Sequence, residues 1–162
     1  MELIMTITII CAGKIKEKYF SAAIDEYKKR LSRFAKLEIA EIPDEKIPEN
    51  ASPREEEKIK EKEGKSMLSK IKPDTYVVAM CIEGTELSSP ELAEKLASVS
   101  MRSSRIAFVI GGSLGLSDEV KRRADMRLSF GRITLPHQLM RVVLLEQIYR
   151  AFKINNNESY HK

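Results

Sequence analysis

Runs of β character and runs of helical period alternate along the whole chain, and that alternation restricts the fold more than any other property of the sequence. Apolar, β-branched stretches fall at Leu3–Cys11, Lys36–Ile42, Thr75–Ile82, Arg105–Ile110 and Arg127–Phe130. Between the first two, Tyr19, Ala23, Tyr27, Leu31 and Phe34 recur at three- to four-residue spacing, the signature of one helical face. A charged helix is expected from about Arg54 to Ile71, stopping before Pro73-Asp74. Another opens at Ser89-Pro90, with Ser89 as cap and Pro90 at the first helical position, where a missing N–H costs nothing. Short and long helices are read at Ser117–Ala124 and His137–Ile154. Strand–helix alternation builds an α/β domain on a mostly parallel sheet, because parallel neighbours need crossover connections. With 162 residues and 43% hydrophobic content, the chain is expected to form a single domain over residues 1–162.

Ligands in such sheets bind beyond the carboxyl ends of the strands, which directs attention to the loops after residues 82, 110 and 130. The loop after Ile110 reads Gly111-Gly112-Ser113-Leu114-Gly115, where glycines permit close approach of main chain to a ligand. It also matches G-x-S-x-G, so a serine hydrolase using Ser113, Asp118 or Asp125, and His137 or His161 is the alternative enzyme. No Gly-Lys-Ser/Thr follows and no G-x-G-x-x-G is present, which excludes the common nucleotide loops. Phe130–Leu135, closed by Pro136-His137, leaves its main-chain groups free to bind a base edge. The tail Ser159-Tyr160-His161-Lys162 joins an aromatic, an imidazole and a cation, a set able to stack on a base and contact phosphate. Pro43, Pro48 and Pro53 mark an extended connection between the second strand and the charged helix.

Net charge is +4, but it is segregated. Residues 14–36 hold Lys14, Lys16, Lys18, Lys28, Lys29, Arg30, Arg33 and Lys36, whereas residues 43–63 lean acidic. One basic side suits a polyanionic partner. A non-catalytic ribosome-binding protein would account for that side and not for the three loops. Cys11 and Cys81 lie in apolar runs without a second thiol or His at ligand spacing, so both are expected as buried core thiols with no metal. The N-terminal run lacks a basic leader and reads as a strand, and no apolar stretch approaches the roughly 20 residues of a membrane span. A soluble, cytoplasmic protein is expected. The last helix is apolar nearly all round, from Leu139 and Met140 to Phe152, so a second subunit is expected to cover part of it.

Taken together, these segments resemble one family: the SPOUT-class 23S rRNA pseudouridine-N3 methyltransferases, the RlmH family. The resemblance rests on Gly13-Lys14, Ile110-Gly111-Gly112, Gly115-Leu116, Leu135-Pro136-His137 and Arg141-Val142. Glu146, Tyr149-Arg150-Ala151 and Tyr160-His161-Lys162 extend it to nearly the whole chain. It implies an α/β knot, with a C-terminal trefoil knot that binds S-adenosylmethionine (SAM) in a homodimer. It also implies methylation of N3 of a pseudouridine in helix 69 of 23S rRNA on the large subunit or assembled ribosome. By motif, cofactor contacts fall on Met80, Gly111, Phe130, Gly131, Arg132, Ile133, Thr134 and Leu135. His161 is the first candidate base, with Tyr160 for stacking, Lys162 for phosphate or oxyanion contact, and His137 as the alternative base. Arg141, Lys14 and Lys16 are candidate RNA contacts, and Arg141 or Arg150 could support the dimer or hold RNA. The chain departs from the family pattern at Gly131-Arg132, a variable pair, and at Lys162, where Arg is common.

Overall fold

The fourth strand is apolar on both faces and the first becomes so from Ile9 onward, which commits them to the middle of a sheet covered on two sides. In the computed structural model, which describes residues 4–161, these are β1 (Met5–Ala12) and β4 (Arg105–Ile110). With β2 (Ala35–Ile42), β3 (Thr75–Glu86) and β5 (Met126–Ser129) they form one parallel sheet in the order β2-β1-β4-β3-β5. Ile7, Ile9 and Cys11 of β1 join Ile106, Phe108 and Ile110 of β4 in one core, while Ile10, Ala12, Ala107 and Val109 enter the other. This is the two-residue period of a strand with both faces buried.

The first core lies under α1 (Lys18–Leu31), α3 (Ser89–Ser100) and α5 (His137–Asn155), with α5 packed against both of the others. The second lies under α2 (Pro53–Leu68) and α4 (Asp118–Arg123), through Met67, Leu116 and Val120. Along α5, Leu144, Leu145, Ile148 and Ala151 are fully buried, whereas Leu139, Val142, Val143 and Phe152 stay half-buried. Among the described residues, no helix is long and apolar enough to cross a membrane, and no cluster of His, Cys, Asp and Glu is placed to hold a metal ion.

Three local readings are revised. The α3 cap is Ser88, not Ser89: Ser88 accepts from the Glu91 amide and the Glu91 carboxylate accepts from the Ser88 amide, a reciprocal box that needs Glu three residues on. The Ser89 hydroxyl instead donates to Gln147 Oε1 at 2.6 Å. β3 runs on to Glu86, past the end of its apolar pattern. Met80 and Thr85 both pair with Leu128 of β5, so the intervening residues bulge out of the ladder. Gly84 makes this fit, because a Cβ there would lie 2.8 Å from main-chain atoms of Arg127 and Leu128. Cys81 falls in that bulge and is half-buried, in contrast to the sealed Cys11.

Phe108 sits at 0% exposure in the first core. Phe108→Ala is expected to remove about 3–5 kcal/mol of stability, seen as a lower urea midpoint with unchanged slope.

Candidate cofactor cleft and tail

At the carboxyl rim of the sheet, three stretches of chain enclose a cleft of about 760 Å³: the bulge Cys81–Glu83, the turn 111–116 after β4, and the loop 130–136 after β5. Its walls are largely apolar, from Met80, Ile110, Phe130, Leu135 and Met140. The β4 turn is closed by its own main chain, with the Gly115 amide donating to the Gly112 carbonyl at 3.0 Å. Gly111 has no room for a side chain, since a Cβ would stand 2.6 Å from the carbonyl carbon of Gly115. In the β5 loop, the Gly131 amide donates to Ser129 Oγ at 3.1 Å and the hydroxyl returns to the Gly131 carbonyl at 3.3 Å, pinning the first bend.

Met80, Gly111, Phe130, Gly131, Ile133, Thr134 and Leu135, the residues singled out by motif, line this cleft together. Arg132 is exposed and does not wall the cleft, whereas its neighbours Gly131 and Ile133 do. His137 lines the cleft at the first turn of α5, and its Nδ1 is buried without a partner. Sequence reasoning missed Lys60, Glu83 and Lys121. Glu83 and Lys121 pair at 2.6 Å by the cleft, which holds the Glu83 carboxyl below its usual range and raises the ammonium of Lys121. Their meeting depends on the β3 bulge, which nothing in the apolar pattern announces.

No hydrolase relay forms. Ser113 is exposed at the turn, and the Asp125 carboxylate is taken up by the Val77 amide at 2.8 Å and by Arg123 at 3.4 Å. No hydrogen bond links Ser113, Asp118 or Asp125 to either histidine among the described residues.

The tail lies elsewhere. Tyr160 donates to Glu146 Oε2 at 3.4 Å and meets the Tyr149 ring edge-on at 5.0 Å. Arg150 pairs with Glu146 at 2.7 Å, covers the Tyr160 ring at 4.7 Å and reaches His161 Nδ1 at 3.3 Å. Glu158 fastens the approach to the tail through Arg33 at 2.7 Å and Lys153 at 3.6 Å. Glu146 and Arg150 are nine and thirteen residues beyond His137, about 13–20 Å along the helix axis. Within one chain, then, Tyr160 and His161 are not brought to the cleft. Lys162 lies outside the described residues.

A family model described as "Predicted SPOUT methyltransferase" matches residues 5–161. The chain belongs to the SPOUT methyltransferase family. It is 60% identical over 159 residues to "Ribosomal RNA large subunit methyltransferase H" of Clostridioides difficile (strain 630), covering 98% of this chain and 100% of that one. The relative of the same name in Bifidobacterium animalis subsp. lactis (strain AD011) is 57% identical with the same coverage. These full-length matches place the chain in the RlmH branch. The fold is shared with "a probable methylase family protein from Haemophilus influenzae Rd KW20", at a TM-score of 0.51 and 15% identity, over 93% of this chain and 66% of that one.

In this SPOUT protein, Arg141 is 1% exposed. It meets Glu41 Oε2 at 2.9 Å and donates to the carbonyls of Ala12 at 2.9 Å and Gly13 at 2.6 Å. The expected RNA contact at Arg141 is therefore corrected, because burial puts the guanidinium out of a phosphate's reach, even though its Nε is left without a partner. Lys14 and Lys16, just beyond that clamp, are exposed. Opposite, Glu63 accepts from the Glu45 amide at 3.1 Å. A Cβ on Gly112 would lie 3.4 Å from Asp44 Oδ1 and 3.5 Å from Glu63 Oε1, so both carboxyls back the cleft turn.

Arg141→Met leaves the carbonyls of Ala12 and Gly13 without their donor, at about 1–3 kcal/mol each, while the exposed Glu41 can turn to water; a lower urea midpoint is expected. Burial, with the nearby Asp44, pushes the Glu63 carboxyl above its usual range. Folding therefore favours its protonated form: the stabilisation is complete below the ordinary carboxylate value of about 4.3 and disappears as pH rises through the raised value. Glu63→Gln is expected to remove that decline from a urea-midpoint profile taken from acid to neutral pH.

Proposed function

We propose that this protein transfers a methyl group from SAM to N3 of a pseudouridine in helix 69 of 23S rRNA, acting on the large subunit or assembled ribosome. The observation that carries this reading is the three-walled cleft at the sheet rim, in a chain matched end to end by proteins named for large-subunit rRNA methylation. The rRNA target is taken from those relatives' names, and the pseudouridine and helix from the family resemblance.

The residues present fit such a cofactor. About 760 Å³ lies within the usual range for small-molecule sites. Apolar walls at Met80, Phe130 and Leu135 suit an adenine ring, with main-chain groups of residues 131–135 to read its edge. The absence of a side chain at Gly111 lets the Gly115 main chain close against it, which shapes the turn that walls the cleft. When bound, SAM supplies an already activated methyl group, so the chain's task is to position the acceptor and manage its proton. N3 of pseudouridine is a poor nucleophile until that proton leaves. We assign Tyr160 to stack on the target, Lys162 to contact phosphate or a developing oxyanion, and His161 to accept the proton. Lys14 and Lys16 are assigned to the RNA backbone.

The distance between tail and cleft favours a homodimer in which each tail serves the partner's cleft, and the half-buried side of α5 at Leu139, Val142 and Val143 suits a second subunit. The C-terminal trefoil knot is part of the same reading. His137 is the alternative base for a specific reason. A guanidinium only donates, so Arg150 at His161 Nδ1 leaves the neutral ring with its proton on Nε2. Accepting a proton at His161 then goes with release from Arg150, whereas His137 Nδ1 has no such engagement.

Calorimetry is expected to show saturable SAM uptake, and primer extension through helix 69 of treated ribosomes to stop at the methylated base, because N3-methylation blocks the pairing edge. Deleting Tyr160–Lys162 should leave uptake intact and lower turnover about 100- to 10,000-fold. A well-folded protein that takes up no SAM, with or without ribosomes, sinks the reading.

A further inference from the structure

The turn between β1 and α1 carries Lys14 and Lys16, and α1 opens with Lys18, Tyr19 and Phe20, so that three lysines alternate ahead of two aromatic rings. All three lysines are exposed, and none takes part in an ion pair among the described residues. Glu17, the acid in their midst, forms no ion pair with any of them among the described residues, and its Oε2 is buried. Tyr19 is 68% exposed, an aromatic ring that the core does not use. Phe20 supports it from the side, with ring centroids 4.5 Å apart at 57°.

Position makes this more than a charged surface. β1 and β4 are parallel neighbours with Cys11 opposite Ile110, so the 13–17 turn stands beside the cleft turn 111–116 on the same rim. A Cβ on Gly112 would touch Ala12 at 3.4 Å. Arg141, one turn along α5 from the cleft-lining His137, holds the carbonyls of Ala12 and Gly13 and so fixes where the lysines begin.

We propose that Lys14–Phe20 is a docking platform for unpaired RNA beside the cleft, with Tyr19 stacking on an exposed base and Lys14, Lys16 and Lys18 holding the flanking phosphates. Alternating cations with an unburied, propped aromatic is the chemistry that single-stranded RNA selects, since each base offers a π-face and each linkage a charge. The proposal deepens the methyltransferase reading and rests on it for the kind of RNA. It concerns residues outside the cleft.

The test uses the full-length protein and fluorescence anisotropy with a labelled rRNA hairpin carrying an unpaired loop, against a fully paired duplex of the same stem. Tyr19→Ala should weaken hairpin binding about 5- to 150-fold with little effect on the duplex, and Tyr19→Phe should restore it. Each of Lys14→Gln, Lys16→Gln and Lys18→Gln should lower the slope of log affinity against log salt by about 0.7. SAM uptake should stay at the wild-type level in every variant, which separates this proposal from the cleft assignment. Wild-type affinity and salt slope in the variants would overturn the platform, as would an equal loss on hairpin and duplex for Tyr19→Ala. Weakened binding to intact large subunits with unchanged binding to naked RNA would mean that the surface meets a ribosomal protein, and would overturn it too. Failure of SAM uptake with the RNA effects intact would instead count against the cofactor reading alone.

Discussion

One enclosed guanidinium sets the geometry of the functional rim. Arg141 projects from the second turn of α5 into the ends of β1 and β2, where it meets Glu41 and the carbonyls of Ala12 and Gly13. A buried cation is costly unless every neighbour complements it, so the helix has little freedom to turn or slide. Because α5 begins at the cleft and its later turns carry the tail, that single anchor relates three parts of the molecule: cleft, basic turn and tail. Cys11 lies in the same neighbourhood and is pushed up to about 11 by burial, with Arg141 opposing and Glu41 adding to the effect.

Around this anchor, the cleft is shaped by backbone more than by side-chain chemistry. The Gly111–Gly115 turn folds on itself too closely for a methyl group, and the 130–136 loop presents main chain between Phe130 and Pro136. Walls of this kind suit a ligand read by shape and hydrogen-bond direction, with little dependence on charge. The charged groups sit at the edge, where Glu83 and Lys121 satisfy each other. Exposed cations gather on the neighbouring turn, at Lys14 and Lys16.

Much of this architecture was legible in the sequence because it depends on local periodicity. The alternation of strand-like and helix-like runs led directly to a mostly parallel sheet, and the loops after residues 110 and 130 could be placed at its rim from the sequence alone. What stayed hidden depends on distant pairing. The extension of β3 has no hydrophobic pattern, and its bulge exists only because Gly84 lets the β5 backbone approach. Arg141 looked like a surface cation because nothing nearby in sequence announces Glu41, one hundred residues away, as its partner. The tail's residues were recognisable as chemistry, but their distance from the cleft is set by how many turns of α5 intervene.

The β3 bulge has a practical outcome for anyone wishing to watch this protein work. It divides the two thiols into unlike environments: Cys11 is sealed in the core, while Cys81 faces the cleft wall. A small thiol reagent added to the unaltered chain would find its native attachment point at Cys81 on the cleft wall, slowed because burial raises that thiol above its usual value.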